Sequence, residues 1–263
     1  MRKIALGALL ACALVSGMMG AEAEGGKSKS GFLLGVELGA GSGAGRSFLG
    51  SDTLMNFTPF MMRSELEPLL ANARVLMGFQ KYFGKRQLVG FDMKVKAGTG
   101  FLNLKHDGEI FPVPPNNNPL RDPEADFRTS YFTLNAGGEM NLLWDFYNQK
   151  DQAAGMSFGV GYEYVQAQNT FMGFEHPLAQ IAFNSHLAQY TDKNFSYQLI
   201  SPKLGFHYYV GNHQFAGVFS FDKVLGKIKN VNPIKAAGVN KPDVLNTDLN
   251  FLFSFNLSYV YRF

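Results

Sequence analysis

Apolar and polar residues alternate with a period of two along most of this chain, most clearly at its C-terminus. Leu249, Phe251, Phe253, Phe255, Leu257, Tyr259, Tyr261 and Phe263 fall on one face there, with Asn250, Leu252, Ser254, Asn256, Ser258, Val260 and Arg262 on the other. Successive side chains point to opposite sides of a strand, so the spacing predicts a strand with one apolar and one largely polar face. The same alternation recurs over 89–101, 132–142, 156–164 and 200–210, and more weakly over 32–40, 73–83 and 215–221. That makes eight strands. Most reach the ~9–11 residues that cross a hydrocarbon core at a tilt.

Lipid supplies no hydrogen-bond partners, so a sheet that spans it must close on itself. The expected fold is therefore an all-β, eight-stranded antiparallel up-and-down transmembrane barrel, apolar outside and polar or small inside. Connection lengths agree: short turns at 84–86, 147–154 and 211–213 alternate with long segments at 41–72, 104–128, 167–195 and 225–246. Short turns belong at the periplasmic rim of such a barrel, and long loops belong outside the cell. Parity puts Phe83, Trp144, Phe146, Tyr208, Tyr261 and Phe263 at the periplasmic rim, and Tyr131, Tyr162, Tyr164 and Phe251 at the opposite one, as aromatic girdles.

The first residues modify this picture. Arg2 and Lys3 precede an apolar stretch, 4–20, that ends near Ala21-Glu22-Ala23. This reads as a secretory signal over 1–23, leaving 24–263 as the barrel. Lipoprotein processing at Cys12 is the rival reading, which Leu10 fits poorly. Removal of the signal also removes the single cysteine, and leaves a nearly neutral chain of 22 basic against 20 acidic residues. No basic block points to nucleic acid. Gly (29) and Phe (25) are abundant, whereas helix-period segments are scarce.

The ending Tyr259-Val260-Tyr261-Arg262-Phe263 resembles the terminal-aromatic signal read by the barrel assembly machinery. Together with the early strand Gly31-Phe32-Leu33-Leu34-Gly35-Val36-Glu37, it is similar in style to the Hop/Hor outer-membrane proteins of Helicobacter. The resemblance implies a Gram-negative outer membrane, with its lipid and lipopolysaccharide as surroundings. Such families include adhesins and porins.

The inward face should carry Arg74, Asp92, Lys94, Lys96, Glu139, Glu163, Lys203, His207, Asp222 and Arg262. An eight-stranded barrel is only wide enough for side chains to fill it. The expectation is an ion-paired plug, with a narrow conductive path as the alternative. Loop one, with Phe57, Phe60 and Met61 and a short helix over 64–70, and loop three, with Phe171, Phe174 and an amphipathic turn from Pro177, supply candidate contact residues. The prolines of 112–123 suggest an extended excursion. Glycines in 39–46 fit no phosphate-loop spacing and read as a flexible exit from the first strand.

Catalytic chemistry finds little support. Asn184-Ser185-His186, His106-Asp107 and Glu175-His176 are isolated pairs, and no HExxH, GxSxG or Cys/His cluster occurs. The expectation is a non-enzymatic barrel without cofactor or metal, presenting loops to a host surface molecule. A channel for a small or apolar solute and a lipid-modifying enzyme are the alternatives.

Overall fold

A computed structural model describes residues 29–51, 60–112, 120–121, 127–149, 151–174, 194–225, 228–232 and 243–263. It contains β1 (Gly31–Ser51), β2 (Phe60–Phe83), β3 (Val89–Pro112), β4 (Leu120–Arg121), β5 (Phe127–Gln149), β6 (Gln152–Phe174), β7 (Phe195–Val210), β8 (His213–Leu225), β9 (Ile228–Asn232) and β10 (Asp243–Arg262). Eight of these follow one another in the order β1-β2-β3-β5-β6-β7-β8-β10, every neighbour antiparallel, and β1 pairs with β10 to close the ring. The short β4 and β9 add to β3 and β10. The fold is an eight-stranded antiparallel up-and-down barrel.

Two of the short turns depend on glycine. Gly84 (φ 71°) and Gly211 (φ 59°) occupy the left-handed region that other residues rarely enter. Gln87 (φ 46°) is the non-glycine exception. The third turn is tighter than the sequence suggests, because β5 continues to Gln149 and β6 begins at Gln152.

Outside, the alternation places Phe32, Leu34, Val36, Leu38, Val75, Met77, Met93, Val95, Leu142, Phe158, Val160 and Leu257 in the open. A closed ring with such a belt is the arrangement that hydrocarbon requires. Aromatic rings edge the belt. Phe83 stacks on Phe91 at 5.8 Å, Trp144 meets Phe146 at 6.4 Å, and Tyr261 meets Phe263 at 4.9 Å near the short turns. Phe101 and Phe132, 5.9 Å apart, mark the other edge.

The strands do not stop at that edge. β2 and β3 each run 24 residues, about twice what a membrane crossing needs. Much of what reads as loops one and two in the sequence is therefore strand. The 64–70 segment is not a helix: it pairs with β1 on one side and β3 on the other. Its Leu66, Leu69 and Leu70 match a helical period locally, but pairing on two flanks satisfies the backbone groups and prevails. Pro68 fits because the β1–β2 ladder skips Gly43-Ala44 opposite Glu67-Pro68, where the missing N–H costs nothing. The glycine-rich 39–46 is likewise strand, hydrogen-bonded on both sides, rather than a flexible exit.

Beyond the belt the polarity inverts while the parity continues. Phe101 is 58% exposed and Leu102 is 1% exposed; next, Asn103 faces out and Leu104 faces in. Inside this upper collar, Leu102, Leu104, Tyr131, Val165, Ala167, Phe195, Tyr197, Leu199, Val224, Leu249 and Leu252 form one apolar core. Two outward assignments fail here. Tyr131 is buried, its ring 4.8 Å from Phe195, because its neighbour Phe132 takes the outward position. Leu249 is also inside. Ala44 pairs with Phe251 and Gly45 with Leu249, so Asn250 is a bulge residue that shifts the parity of β10 by one. The side chain of Phe251 lies outside the described residues.

Candidate functional site

The lumen is built in three layers. At mid-height, inward positions of β1, β2, β3, β5, β6 and β7 bring together Glu37, Arg74, Asp92, Lys94, Lys96, Glu139, Glu163 and Lys203. Acids and bases are equal in number there. Arg74 donates to Glu37 at 2.9 Å and to Glu163 at 2.8 Å. Lys94 lies 2.8 Å from Asp92 and 3.7 Å from Glu139. Lys96 reaches Glu139 at 3.2 Å and Glu37 at 3.4 Å, and Lys203 also donates to Glu139. All of these side chains are buried. Buried ions are tolerable only when paired and hydrogen-bonded, and here each has a partner of opposite sign.

Small residues make the packing possible. A Cβ on Gly161 would come 2.9 Å from Cε of Lys203. The side chains of Lys94, Arg74 and Glu163 would lie similarly close to a Cβ on Gly78, Gly98 and Gly137, so the ionic residues fill width that these glycines leave empty.

Nearer the short turns is a second layer centred on Asp145. It lies 2.7 Å from Nε2 of His207, and accepts from Lys29 Nζ at 2.7 Å and from Tyr82 Oη at 2.9 Å. Tyr209 donates to Gln80 at 2.7 Å and accepts from Gln214 at 2.9 Å. Tyr82, Leu143, Ala153 and Tyr209 pack together there, and Leu33, Leu76 and Val260 form a small cluster of their own. The third layer is the collar core.

Of the inward residues expected from the sequence, Arg74, Asp92, Lys94, Lys96, Glu139, Glu163 and Lys203 meet in the middle layer. His207 belongs to the layer below. Asp222 stands apart, accepting from Ser254 at 3.1 Å, and Arg262 lies at the short-turn mouth. Glu37, Asp145 and Lys29 were missed. Parity points to the first two, since Val36 and Leu38 flank Glu37 and Trp144 precedes Asp145 on the outward side. Lys29 lies before the first strand, where alternation gives no signal.

Tyr259, Tyr261 and Phe263 sit on the outer face of the closing strand. The Tyr259 ring is 5.4 Å from Phe215, and the Phe263 amide donates to the Phe32 carbonyl at 2.9 Å, tying the chain end to β1. Among the loop candidates, Phe171 is an exposed residue of β6. Phe60 and Met61 belong to β2 and Phe174 to β6, with side chains outside the described residues, as is Phe57 altogether. His106-Asp107 lies in β3, its side chains likewise not described, whereas Glu175-His176, the turn at Pro177 and Asn184-Ser185-His186 fall outside the described residues. Among the described residues no group of three or more His, Cys, Asp or Glu is placed to hold a metal ion.

No protein-family model and no curated protein matches the chain. Solved structures similar to it include the outer membrane protease OmpT of Escherichia coli, at 7% identity and TM-score 0.38, covering 92% of this chain and 99% of that one. A major outer membrane protein of Thermus thermophilus matches at 14% identity and TM-score 0.35, over 88% and 99%. A FadL homologue of Pseudomonas aeruginosa matches at 8% identity and TM-score 0.25, over 89% and 90%. The assignment of the fold rests on the ring's own strand order and register.

Proposed function

We propose that this protein is an integral outer-membrane barrel with a sealed lumen, which anchors in lipid and presents its collar and the segments leaving it as an interaction surface. The observation that carries this reading is the filling of the lumen by three successive layers: hydrogen-bonded, ionic and apolar. A continuous water path would have to cross the collar core, where Leu102, Leu104, Leu249 and Leu252 are each only about 1% exposed. The belt fits the outer membrane, because a β-structure crossing lipid must be a closed barrel. Export by a signal over 1–23, folding through the assembly machinery that reads Tyr259, Tyr261 and Phe263, and surroundings of lipid and lipopolysaccharide belong to the same reading. Kinship with the Hop/Hor proteins rests on the terminal and early-strand residues, and contact with a host surface molecule on the apolar residues 57, 60, 61, 171 and 174.

Purified protein in planar bilayers tests the reading. The expected outcome is no steady conductance. Conductance that shifts on Glu139→Gln or Lys94→Gln would overturn it in favour of a channel for small solutes.

A further inference from the structure

The short-turn mouth contains a recess of about 380 Å3, lined by Lys29, Lys85, Arg86, Asp151, Tyr209 and Arg262 together with neutral residues of the turns. Its walls are cross-tied. Asn148 Nδ2 donates to Arg86 O at 2.7 Å, Gly211 N to Asp151 O at 2.7 Å, and Arg262 N to Asn212 O at 2.8 Å, while Gln87 N closes its own turn on Gly84 O at 3.2 Å. Three turns and the last strand thus hold one another in place, and the recess is preorganised.

Its charge is unbalanced. Lys29 is neutralised by Asp145 behind the wall. Arg262 is only 5% exposed, yet its guanidinium meets carbonyls alone, those of Lys29 at 3.2 Å and Gly211 at 2.9 Å, and lies 5.7 Å from the Tyr209 ring. Among the described residues no carboxylate contacts Arg262, Lys85 or Arg86, and Asp151 is the one acid in the lining. The carboxylate that feels its charge, Asp145, is already in contact with Lys29 and His207, and a buried cation with so little direct compensation is costly. Every ion of the middle layer has its partner, so this guanidinium is the exception. A planar guanidinium that lines the recess beside two further cations, and contacts no carboxylate, fits a phosphoryl group.

We propose that this recess binds a phosphate-bearing ligand, with Arg262 as its buried anchor and Lys85 and Arg86 as its outer clamp. The inference does not depend on whether the lumen conducts. Calorimetric titration of the folded protein in neutral detergent with inorganic pyrophosphate at low ionic strength tests it. Saturable binding is expected, weakened roughly tenfold or more by Arg262→Gln and by the double variant Lys85→Gln/Arg86→Gln. The double variant alters only exposed turn side chains and keeps the test valid should Arg262→Gln misfold. Competition by phosphatidylglycerol mixed micelles would assign the phosphate to a lipid headgroup, and its failure to compete would assign a soluble phosphate ester. No saturable binding, or the same affinity in the double variant, would overturn the proposal.

Discussion

The belt and the collar are made from the same strands by opposite rules. In the belt, Val95 faces out and Lys94 and Lys96 face in. Eight residues further along β3, Asn103 faces out and Leu102 and Leu104 face in. Along β3 the ladders to both neighbours run through the change unbroken, whereas the ladders of β1 with β2 and β10, and of β5 with β6, carry irregularities near the same level. What changes is the solvent. In hydrocarbon the apolar side must look outward and the polar side must be gathered and paired inside. In water the ordinary preference returns, and the collar is a small soluble barrel with a packed core standing on a membrane one. Below Phe101 the interior is held by ion pairs and hydrogen bonds with two small apolar clusters, and above it by one continuous apolar core.

The largest effect that would sharpen this contrast is expected from Glu139→Ala. It removes the carboxylate shared by Lys94, Lys96 and Lys203, and leaving buried charges unpaired should cost about 3–5 kcal/mol. Urea unfolding in detergent measures it; a change near zero would remove the ionic layer as the source of stability in the belt. Leu104→Ala opens a cavity in the collar core, and should cost about 2–5 kcal/mol by the same measurement. A paired experiment locates the boundary. Val95→Arg, midway between Val89 and Phe101 on the outer face, should cost ~2–4 kcal/mol in a bilayer. Asn103→Arg on the same face of the same strand should stay within ~0.5 kcal/mol. Equal penalties would mean that lipid reaches Asn103 and that the collar is not a separate environment.

Strand number, parity, closure and most inward charges were legible in the sequence because alternation is a local signal. Phe101-Leu102-Asn103-Leu104 even carries the inversion, but its polar outward residue resembles a loop when no tertiary contact is in view. Position 64–70 misleads for a related reason: its leucines suit either period, and only β1 and β3 on either side decide. Leu249 shows the cost of a single unseen bulge, since one extra residue at Asn250 turns every side chain beyond it to the other face.

By itself the sequence determined the class: long period-two segments separated by turn residues, apolar on one face, are what a closed ring in lipid requires and exceed what soluble sandwich strands usually show. The tertiary structure alone decided where the belt ends, which charges share a partner, and that the guanidinium of Arg262 is held by carbonyls rather than by a carboxylate. Those depend on distances across the lumen between residues far apart in the chain, for which alternation along one strand holds no information.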